Sequence, residues 1–316
     1  MAMPVNRREW IQRTAALGAA GVLPTAANAV DFAEPVPEAK GLTAYVNDSQ
    51  VLFRRDNMPL CVYRAHPSQK RPYFHPVAGP LSGLPLTSES GLPYPHHRGV
   101  WLGLDPLNGG NYWSDGEHKQ GHILSSGPEL ISSDARSAVI SDSCEWRREG
   151  AGSPFSDDRR FNVVVARDDL WYIDADITMT AGQDVEVKQA KHSLFAIRVA
   201  SDISPTYGGV LENSHGGRGA EGTYGKTADW CGYYGKRRQN SSLVEGLAVM
   251  EHPENPWAPC PWFTRDYGHL SPSAFNFLDE PWRIEKGQSI RMRYRIVAHA
   301  GSPAEAGLSA VFDDWV

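Results

Sequence analysis

Histidines, carboxylates and arginines are concentrated in three segments of this 316-residue sequence. The first segment, residues 73–122, holds five of the eleven histidines, and the other two cover residues 212–230 and 251–267. A histidine that titrates near neutral pH and a carboxylate can together act as general acid and general base. Loops at one end of a β-sandwich cluster in space, so the sequence predicts that the three segments meet in one polar site.

The candidate acids and bases are histidines and glutamates of the first and third segments. We expect His97, His118 or His252 to act as the acid, and Glu117 or Glu251 as the base. Glu117 and His118 are adjacent in a segment too polar to be core. Loop residues of this kind more often serve function than packing.

Arginines and aromatic rings in the same segments are candidates for binding a sugar. The planar guanidinium fork binds carboxylates and hydroxyls, and an aromatic face suits the apolar face of a sugar ring. The candidate substrate-binding residues are His75, Arg98, Trp101, Trp113, Asn213, Arg218, Arg265 and Tyr267. Trp230, Trp257 and Trp262 lie close to the same polar groups. The alternative interpretation is that the tryptophans fill the core between two sheets.

His118 and His122 are a candidate pair of ligands for a divalent metal. A spacing of four residues keeps two side chains on one side of a helix or of an extended strand. Asp115 and Glu117 would add carboxylate ligands. The order is not H-E-x-x-H, and nearby glycines indicate a loop, so the alternative is a pair of loop histidines bonded to the backbone.

Composition excludes several classes of partner and reaction. The net charge is −6, and nucleic acid or anionic lipid would need a clustered positive surface. The sequence has no G-x-S-x-G elbow, P-loop or dinucleotide fingerprint. A small molecule or an oligosaccharide is the expected partner. Cys61, Cys144, Cys231 and Cys260 form no C-x-x-C pair, which leaves two disulfides or four buried thiols open.

The N-terminal residues 1–29 are typical of a twin-arginine (Tat) export signal. Arg7-Arg8 precede a short stretch rich in Ala and Gly, and Ala27-Asn28-Ala29 is a small-x-small cleavage site. The apolar stretch is about half of the roughly 20 residues that span a bilayer. We expect residues 30–316 to be a single periplasmic or secreted domain without a membrane-spanning segment.

Strands must supply the framework that positions these segments. Strand-like runs are found at residues 51–54, 60–64, 100–104, 161–166, 171–179, 185–199, 243–251 and 290–299. Apolar and polar residues alternate in several runs, as a half-buried strand requires. Helix is expected only at 303–315, which begins with proline. Without a βαβ rhythm, the pattern predicts an all-β antiparallel β-sandwich with few short helices.

Several motifs resemble a bacterial family labelled PmoA-like, or methane oxygenase. They are Pro95-His96-His97-Arg98-Gly99-Val100-Trp101, Trp230-Cys231-Gly232-Tyr233, His252-Pro253-Glu254-Asn255-Pro256, Trp262-Phe263-Thr264-Arg265-Asp266-Tyr267-Gly268 and Lys286-Gly287-Gln288. The methane monooxygenase subunit is a membrane protein, whereas nothing after residue 29 is long and apolar enough to span a bilayer. The resemblance therefore implies motif positions and domain bounds, and not that activity.

The final strand-like run, with a glycine turn before it, is also similar to the last strand of galactose-mutarotase-like super-sandwiches. That similarity implies a concave sheet that holds a sugar between histidine and carboxylate groups. The sequence thus predicts an exported carbohydrate-processing enzyme, hydrolytic and using histidine and carboxylate groups. The alternatives are a non-catalytic sugar-binding protein and a metal-dependent enzyme that uses His118 and His122.

Overall fold

The computed structural model describes residues 40–237 and 240–316, and the proposed export signal at 1–29 lies outside them. The strands are β1 (Leu42–Asn47), β2 (Gln50–Arg55), β3 (Met58–Arg64), β4 (Tyr73–Val77), β5 (Val100–Asp105), β6 (His122–Ser125), β7 (Glu129–Ser133), β8 (Ser137–Arg147), β9 (Phe155–Arg167), β10 (Leu170–Ala181), β11 (Val185–Val187), β12 (His192–Arg198), β13 (Val210–Asn213), β14 (Trp230–Arg237), β15 (Asn240–Glu251), β16 (Trp262–Arg265), β17 (His269–Pro272), β18 (Trp282–Ile284) and β19 (Ser289–Ala300). The helices are α1 (Gly219–Thr223), α2 (Pro303–Ala306) and α3 (Leu308–Asp313), and 3₁₀ turns lie at His118–Gln120, Ser201–Ile203 and Pro205–Tyr207.

The strands form two large antiparallel sheets. The first sheet has the order β1-β2-β3-β4-β5-β12-β17-β16. The second has the order β13-β14-β15-β19-β10-β9-β8-β6, with β7 paired to β8. β11 and β18 form a separate two-stranded ribbon. The expected all-β antiparallel sandwich is confirmed.

The core lies between the two large sheets. Buried and less buried residues alternate along β9 and β10, because successive side chains of a strand point to opposite faces. Phe195 of β12 stacks on Tyr294 of β19 with 4.3 Å between ring centroids. The Tyr63 hydroxyl of β3 donates to Asp142 Oδ2 of β8 at 2.7 Å. Both contacts join one sheet to the other.

The expected run 185–199 is two strands, because β11 pairs with β18 in the ribbon and β12 pairs with β5 in the first sheet. The expected helix 303–315 is likewise interrupted. Gly307, with φ +68°, ends α2 in the left-handed conformation that glycine adopts most easily.

The four cysteines are buried free thiols, so no disulfide joins them. Burial raises the pKa of each thiol, which keeps it protonated and unreactive. In the described residues, every helix is too short or too polar to cross a bilayer.

Candidate functional site

A row of polar residues crosses the face of the first sheet that points away from the second sheet. Side chains two apart on a strand share a face, and so do residues paired directly across antiparallel strands. The register pairs Asp105 with His192, Arg198 with His269, and His269 with Arg265. His192 and Arg198 are six residues apart on β12. All five side chains therefore lie on the same outer face.

Loops on either side of β5 cover this row and enclose a cavity of about 290 Å³. We call this the histidine cavity. Its lining residues are Tyr94, His96, His97, Trp113, Lys191, His192, Phe263, Arg265, Tyr267 and His269. Every lining side chain except Phe263 carries an N–H or O–H donor, and none is a carboxylate. The cavity therefore suits a ligand rich in hydroxyl or anionic oxygens.

Two stacked histidines form the floor of the histidine cavity. The rings of His97 and His269 are 4.6 Å apart and both are buried. Burial lowers the pKa of His269 to about 3, and the nearby Arg198 adds to this effect. Burial, with His269 and His96 beside it, also holds the pKa of His97 far below its usual range. Both imidazoles are therefore neutral at neutral pH and can donate or accept a hydrogen bond.

His192 stands at the wall of the cavity with a carboxylate behind it. Its ring stacks on Trp113 with 5.6 Å between centroids. Its Nδ1 lies 3.6 Å from Oδ2 of Asp105. A carboxylate on the Nδ1 side can orient an imidazole and leaves Nε2 free to act on a ligand. At 3.6 Å the two atoms are just beyond hydrogen-bond distance, so Asp105 lies on the Nδ1 side of His192 without a direct hydrogen bond.

Cationic groups give the cavity a positive wall. The Arg265 guanidinium lies 4.1 Å from the ring centroid of Phe263 and 4.7 Å from that of Tyr224. Arg198 lies 4.6 Å from the ring centroid of Tyr267. In the part of the chain that the structure describes, Arg265 and Lys191 make no ion pair. Their charges are available to an anionic ligand.

Arg71 ties together the two loops that cover the cavity. It is 1% exposed, and its guanidinium donates to the backbone oxygen of Trp113 and, at 2.6 Å, to that of His96. The same group lies 5.3 Å from the ring centroid of Trp101. Because one planar fork holds both carbonyls, the positions of the two loops depend on each other.

His97 is the only one of the predicted catalytic residues that lines the histidine cavity. Glu117 and His118 lie in an exposed turn outside it. The Glu117 side chain is 63% exposed and pairs with Lys119 at 2.6 Å. The His118 ring stacks on that of His122 at 4.2 Å.

Glu251 is the last residue of β15 in the second sheet, and His252 follows it. Glu251 is buried and accepts a hydrogen bond from the backbone N–H of Cys260 at 2.7 Å. Burial raises the pKa of Glu251. His252 packs against Trp315 with 5.0 Å between ring centroids. The three segments therefore do not all meet: Glu251 and His252 of the third segment lie at the second sheet, whereas Arg265 and Tyr267 of the same segment line the histidine cavity together with His97.

The carboxylates that would complete a divalent-metal site at His118 and His122 have other partners. Asp115 is 2.9 Å from Arg98, and Glu117 is paired with a lysine, so neither carboxylate is directed to His118 and His122. Across the described ranges, His, Cys, Asp and Glu side chains form no group of three or more that could hold a metal ion.

Among the predicted substrate-binding residues, Trp113, Arg265 and Tyr267 line the histidine cavity. Trp101 is buried beside it, with its ring centroid 5.3 Å from that of His97.

His75 and Arg98 belong to a neighbouring cluster around Glu89. Its carboxylate lies 3.8 Å from His75 Nε2 and 3.9 Å from Arg98 Nη1, and it accepts a hydrogen bond from the Tyr73 hydroxyl. Sequence reasoning missed Glu89 as the centre of this cluster.

The second segment lies elsewhere on the molecule. Asn213 and Trp230 line a separate cavity beside α2 and α3, and Arg218 pairs with Glu212 at 3.1 Å. Trp230 and Trp262 are buried, which agrees with the alternative interpretation that these rings fill the core. Trp257 is half-buried and packs on other aromatic rings.

Sequence reasoning did not single out Asp105, Lys191, His192, Arg198 and His269. The sequence feature that could have identified them is a charged or imidazole side chain at or next to an apolar strand run. A polar residue in such a place needs a partner. Only the register of the sheet shows that they share one face.

Fold and site together define an antiparallel β-sandwich protein with a donor-rich, cationic cavity on the outer face of one sheet. The chain belongs to the family of unknown function DUF6807, which matches residues 50–313. No curated protein matches the chain. The resemblance to the PmoA-like family stays an expectation from the motifs.

Two solved structures are similar to the chain. One is a GalM/aldose epimerase homologue from C. elegans, with 8% sequence identity over 83% of this chain and 96% of that chain, and a TM-score of 0.32. The other is a polysaccharide lyase, with 12% identity over 84% of this chain and a TM-score of 0.28. The chain spans 33% of the length of that lyase.

Proposed function

We propose that this protein is a carbohydrate-processing enzyme that acts on a sugar bearing a carboxylate, with His192 as its acid–base residue. The observation that carries the proposal is the 3.6 Å approach of Asp105 to His192 Nδ1 at the wall of the histidine cavity. A histidine oriented by a carboxylate is suited to accept a proton and then return it.

The lining of the cavity supports a sugar as the ligand. Hydroxyl groups of a sugar match the donors around the cavity, and the rings of Tyr94 and Tyr267 offer faces for an apolar sugar surface.

The cations support a carboxylate on that sugar. Arg265 and Lys191 line the cavity without acidic partners in the described residues, and a guanidinium binds a carboxylate through two parallel hydrogen bonds. When a base removes a proton from the carbon next to a carboxylate, negative charge develops on the carboxylate oxygens. Fixed positive groups stabilise that charge in the transition state.

In the proposed reaction, His192 takes the proton from the carbon beside the carboxylate. The bonding electrons then form a C=C bond to the neighbouring carbon, whose glycosidic C–O bond breaks. The leaving oxygen takes a proton from Tyr267, which is protonated because burial raises its pKa to about 12. If the C–O bond stays intact, return of a proton to the other face inverts that carbon.

Hydrolysis is less well supported than proton abstraction. Most glycoside hydrolases place two carboxylates on either side of the bond that they cleave. The histidine cavity is lined by none, and Glu117 and Glu251 lie outside it. A hydrolytic route therefore lacks the required pair of carboxylates at this cavity.

The test is incubation of the purified protein with oligosaccharides that contain uronic acids, followed by mass spectrometry. Elimination gives a product that lacks one water relative to the hydrolysis product, and epimerisation leaves the mass unchanged but alters the sugar composition. His192→Gln should abolish either product. His215→Gln, in an exposed loop, is the matched control.

Two results would overturn the proposal. Binding of acidic sugars without any conversion would make the protein a sugar-binding protein. Conversion of neutral sugars alone would show that the substrate needs no carboxylate. Full activity of His192→Gln would show that His192 is not the acid–base residue.

We also propose that the protein acts in the periplasm or after secretion. Support comes from Arg7-Arg8, the apolar stretch that follows and Ala27-Asn28-Ala29.

A further inference from the structure

We infer that the substrate is an extended acidic oligosaccharide that lies across the Asp105–His192 pair in a groove longer than the histidine cavity. This inference rests on the proposed function and specifies its substrate. It depends on two further cavities that adjoin the first and on the cations that line them.

The three cavities follow one another along the molecule. A second cavity, of about 440 Å³, shares Lys191 and His192 with the histidine cavity. A third, also about 440 Å³, shares Asp105 and Pro106 with the second. Small-molecule pockets measure roughly 300–1,000 Å³, so each cavity has the size of one small ligand. Together they form a groove with more room than a single sugar needs.

The acid–base pair lies inside this groove and not at its end. His192 lines the histidine cavity and the second cavity, and Asp105 lines the second and the third. A chain that occupies the whole groove therefore has sugar units on both sides of the pair. The bond that reacts would be an internal bond of the oligosaccharide.

Each part of the groove holds a cation that has no acidic partner in the described ranges. Arg265 lines the histidine cavity, Lys191 lies at its junction with the second cavity, and Arg148 lines the third. The protein as a whole carries a net charge of −6, so these cations are opposite in sign to its net charge. A ligand with anionic groups repeated along its length matches this spacing.

Arg148 is the cation of the third cavity that has no acidic partner in the described residues. It is half-buried, and a Cβ added at Gly109 would lie 2.8 Å from its Nη1, so the guanidinium packs directly over that glycine. The other charged side chains of this cavity are Asp105, which it shares with the second cavity, the exposed Glu149, and Lys119, which is paired with Glu117. Arg148 is therefore the cation best placed to bind a carboxylate there.

The experiment compares Arg148→Ala with Arg147→Ala on acidic oligosaccharides of increasing length. Arg147 is the matched control, because its side chain is 58% exposed and already pairs with Glu145. The probes are oligogalacturonates, alginate oligomers and hyaluronan oligomers from one repeat upwards, with cellodextrins as neutral chains and heparin oligomers as sulfated chains. Calorimetry gives Kd, and thermal unfolding checks that both variants are folded.

The inference predicts that affinity for one acidic series rises with chain length. Arg148→Ala should weaken binding of the long members by about tenfold, the loss of one ion pair of moderate strength, and leave the shortest member unchanged. Arg147→Ala should bind every length like the unmodified protein.

The possible failures separate the groove from the proposed function. Affinity that does not depend on length, with conversion of short acidic sugars intact, would overturn the groove alone. A preference for sulfated chains would support a polyanion groove but overturn chemistry next to a carboxylate. If no acidic probe binds, both the groove and the proposed function are wrong.

Discussion

His192 Nδ1 lies 3.6 Å from Asp105 Oδ2, and the two residues are direct partners in the register of β12 and β5. The pair is therefore positioned by backbone hydrogen bonds of the sheet and not by a loop. Groups held on strands keep their geometry more precisely than groups on loops, which suits an acid–base pair.

Removing the imidazole of the pair should abolish most of the activity. We expect His192→Gln to lower kcat by about 10²–10⁴-fold, the usual contribution of general acid–base catalysis, and Asp105→Asn to lower it less. Thermal stability should change little, because His192 is only half-buried. Steady-state kinetics on a converted acidic oligosaccharide, with melting curves, measure both effects.

The comparison variants are Glu117→Gln and His118→Ala. Both residues lie in the exposed turn outside the histidine cavity, so both variants should keep full activity. If these two variants lost activity while His192→Gln kept it, the active site would lie at the exposed turn and not in the histidine cavity.

The sequence predicted the sandwich because alternation along a strand such as β10 depends only on local burial. It also predicted part of the site, because His97 and Arg265 belong to polar motifs that are visible in the sequence itself. It could not predict the pairing of Asp105 with His192, which are 87 positions apart in number but opposite each other in the sheet. Register across a sheet is a tertiary property, and no local pattern of one strand contains it.

Acidification should destabilise the protein through its buried neutral histidines. Burial lowers the pKa of His269 to about 3 and that of His299 to about 4, against roughly 6.5 in an unfolded chain. Between these values the unfolded state binds more protons, so this stability is complete above about pH 6.5 and is lost as the pH falls. Each group should contribute a slope of about 1 kcal/mol per pH unit, measured by urea denaturation from pH 7 to 5.

His299→Gln isolates one of these contributions. The unfolding free energy of the variant should depend less steeply on pH than that of the unmodified protein. His66→Gln is the control, because His66 is exposed. Equal slopes in all three proteins would show that the buried histidine does not couple folding to protonation.

Export should depend on the arginine pair itself. Lysine keeps the positive charge, but the twin-arginine receptor reads the two arginines, so Arg7→Lys with Arg8→Lys should retain the protein in the cytoplasm. Arg13→Lys, outside the pair, should be exported normally. Cell fractionation measures the outcome, and a normal periplasmic yield of the double variant would remove the twin-arginine assignment.

Replacing Arg71 should loosen both loops over the histidine cavity. Arg71→Lys cannot reproduce the planar contact with the backbone oxygens of His96 and Trp113, and each buried oxygen left without a donor costs about 1–3 kcal/mol. We expect a lower melting temperature and a lower kcat. Arg291→Lys, which changes an arginine that is 58% exposed, should alter neither quantity. Unchanged melting of Arg71→Lys would show that the loops are held by other contacts.

The last prediction concerns Gly99, two residues after His97 in the motif that covers the cavity. Gly99 has φ +57°, and an added Cβ would lie 1.8 Å from the carbonyl oxygen of Phe74. That carbonyl belongs to β4, which pairs with β5 through Phe74 and Val100. Gly99→Ala must therefore push the two strands apart or move the loop that carries His97.

We expect Gly99→Ala to cost about 3 kcal/mol or more, since the clash adds to the 1–2 kcal/mol of a left-handed alanine. Activity should fall with it. Gly150→Ala is the matched control, because Gly150 has φ +68° but no atom within 4 Å of an added Cβ. The control should show the conformational cost alone. Chemical denaturation of both variants measures the difference, and equal losses would mean that β4 and β5 absorb the added methyl group without displacing His97.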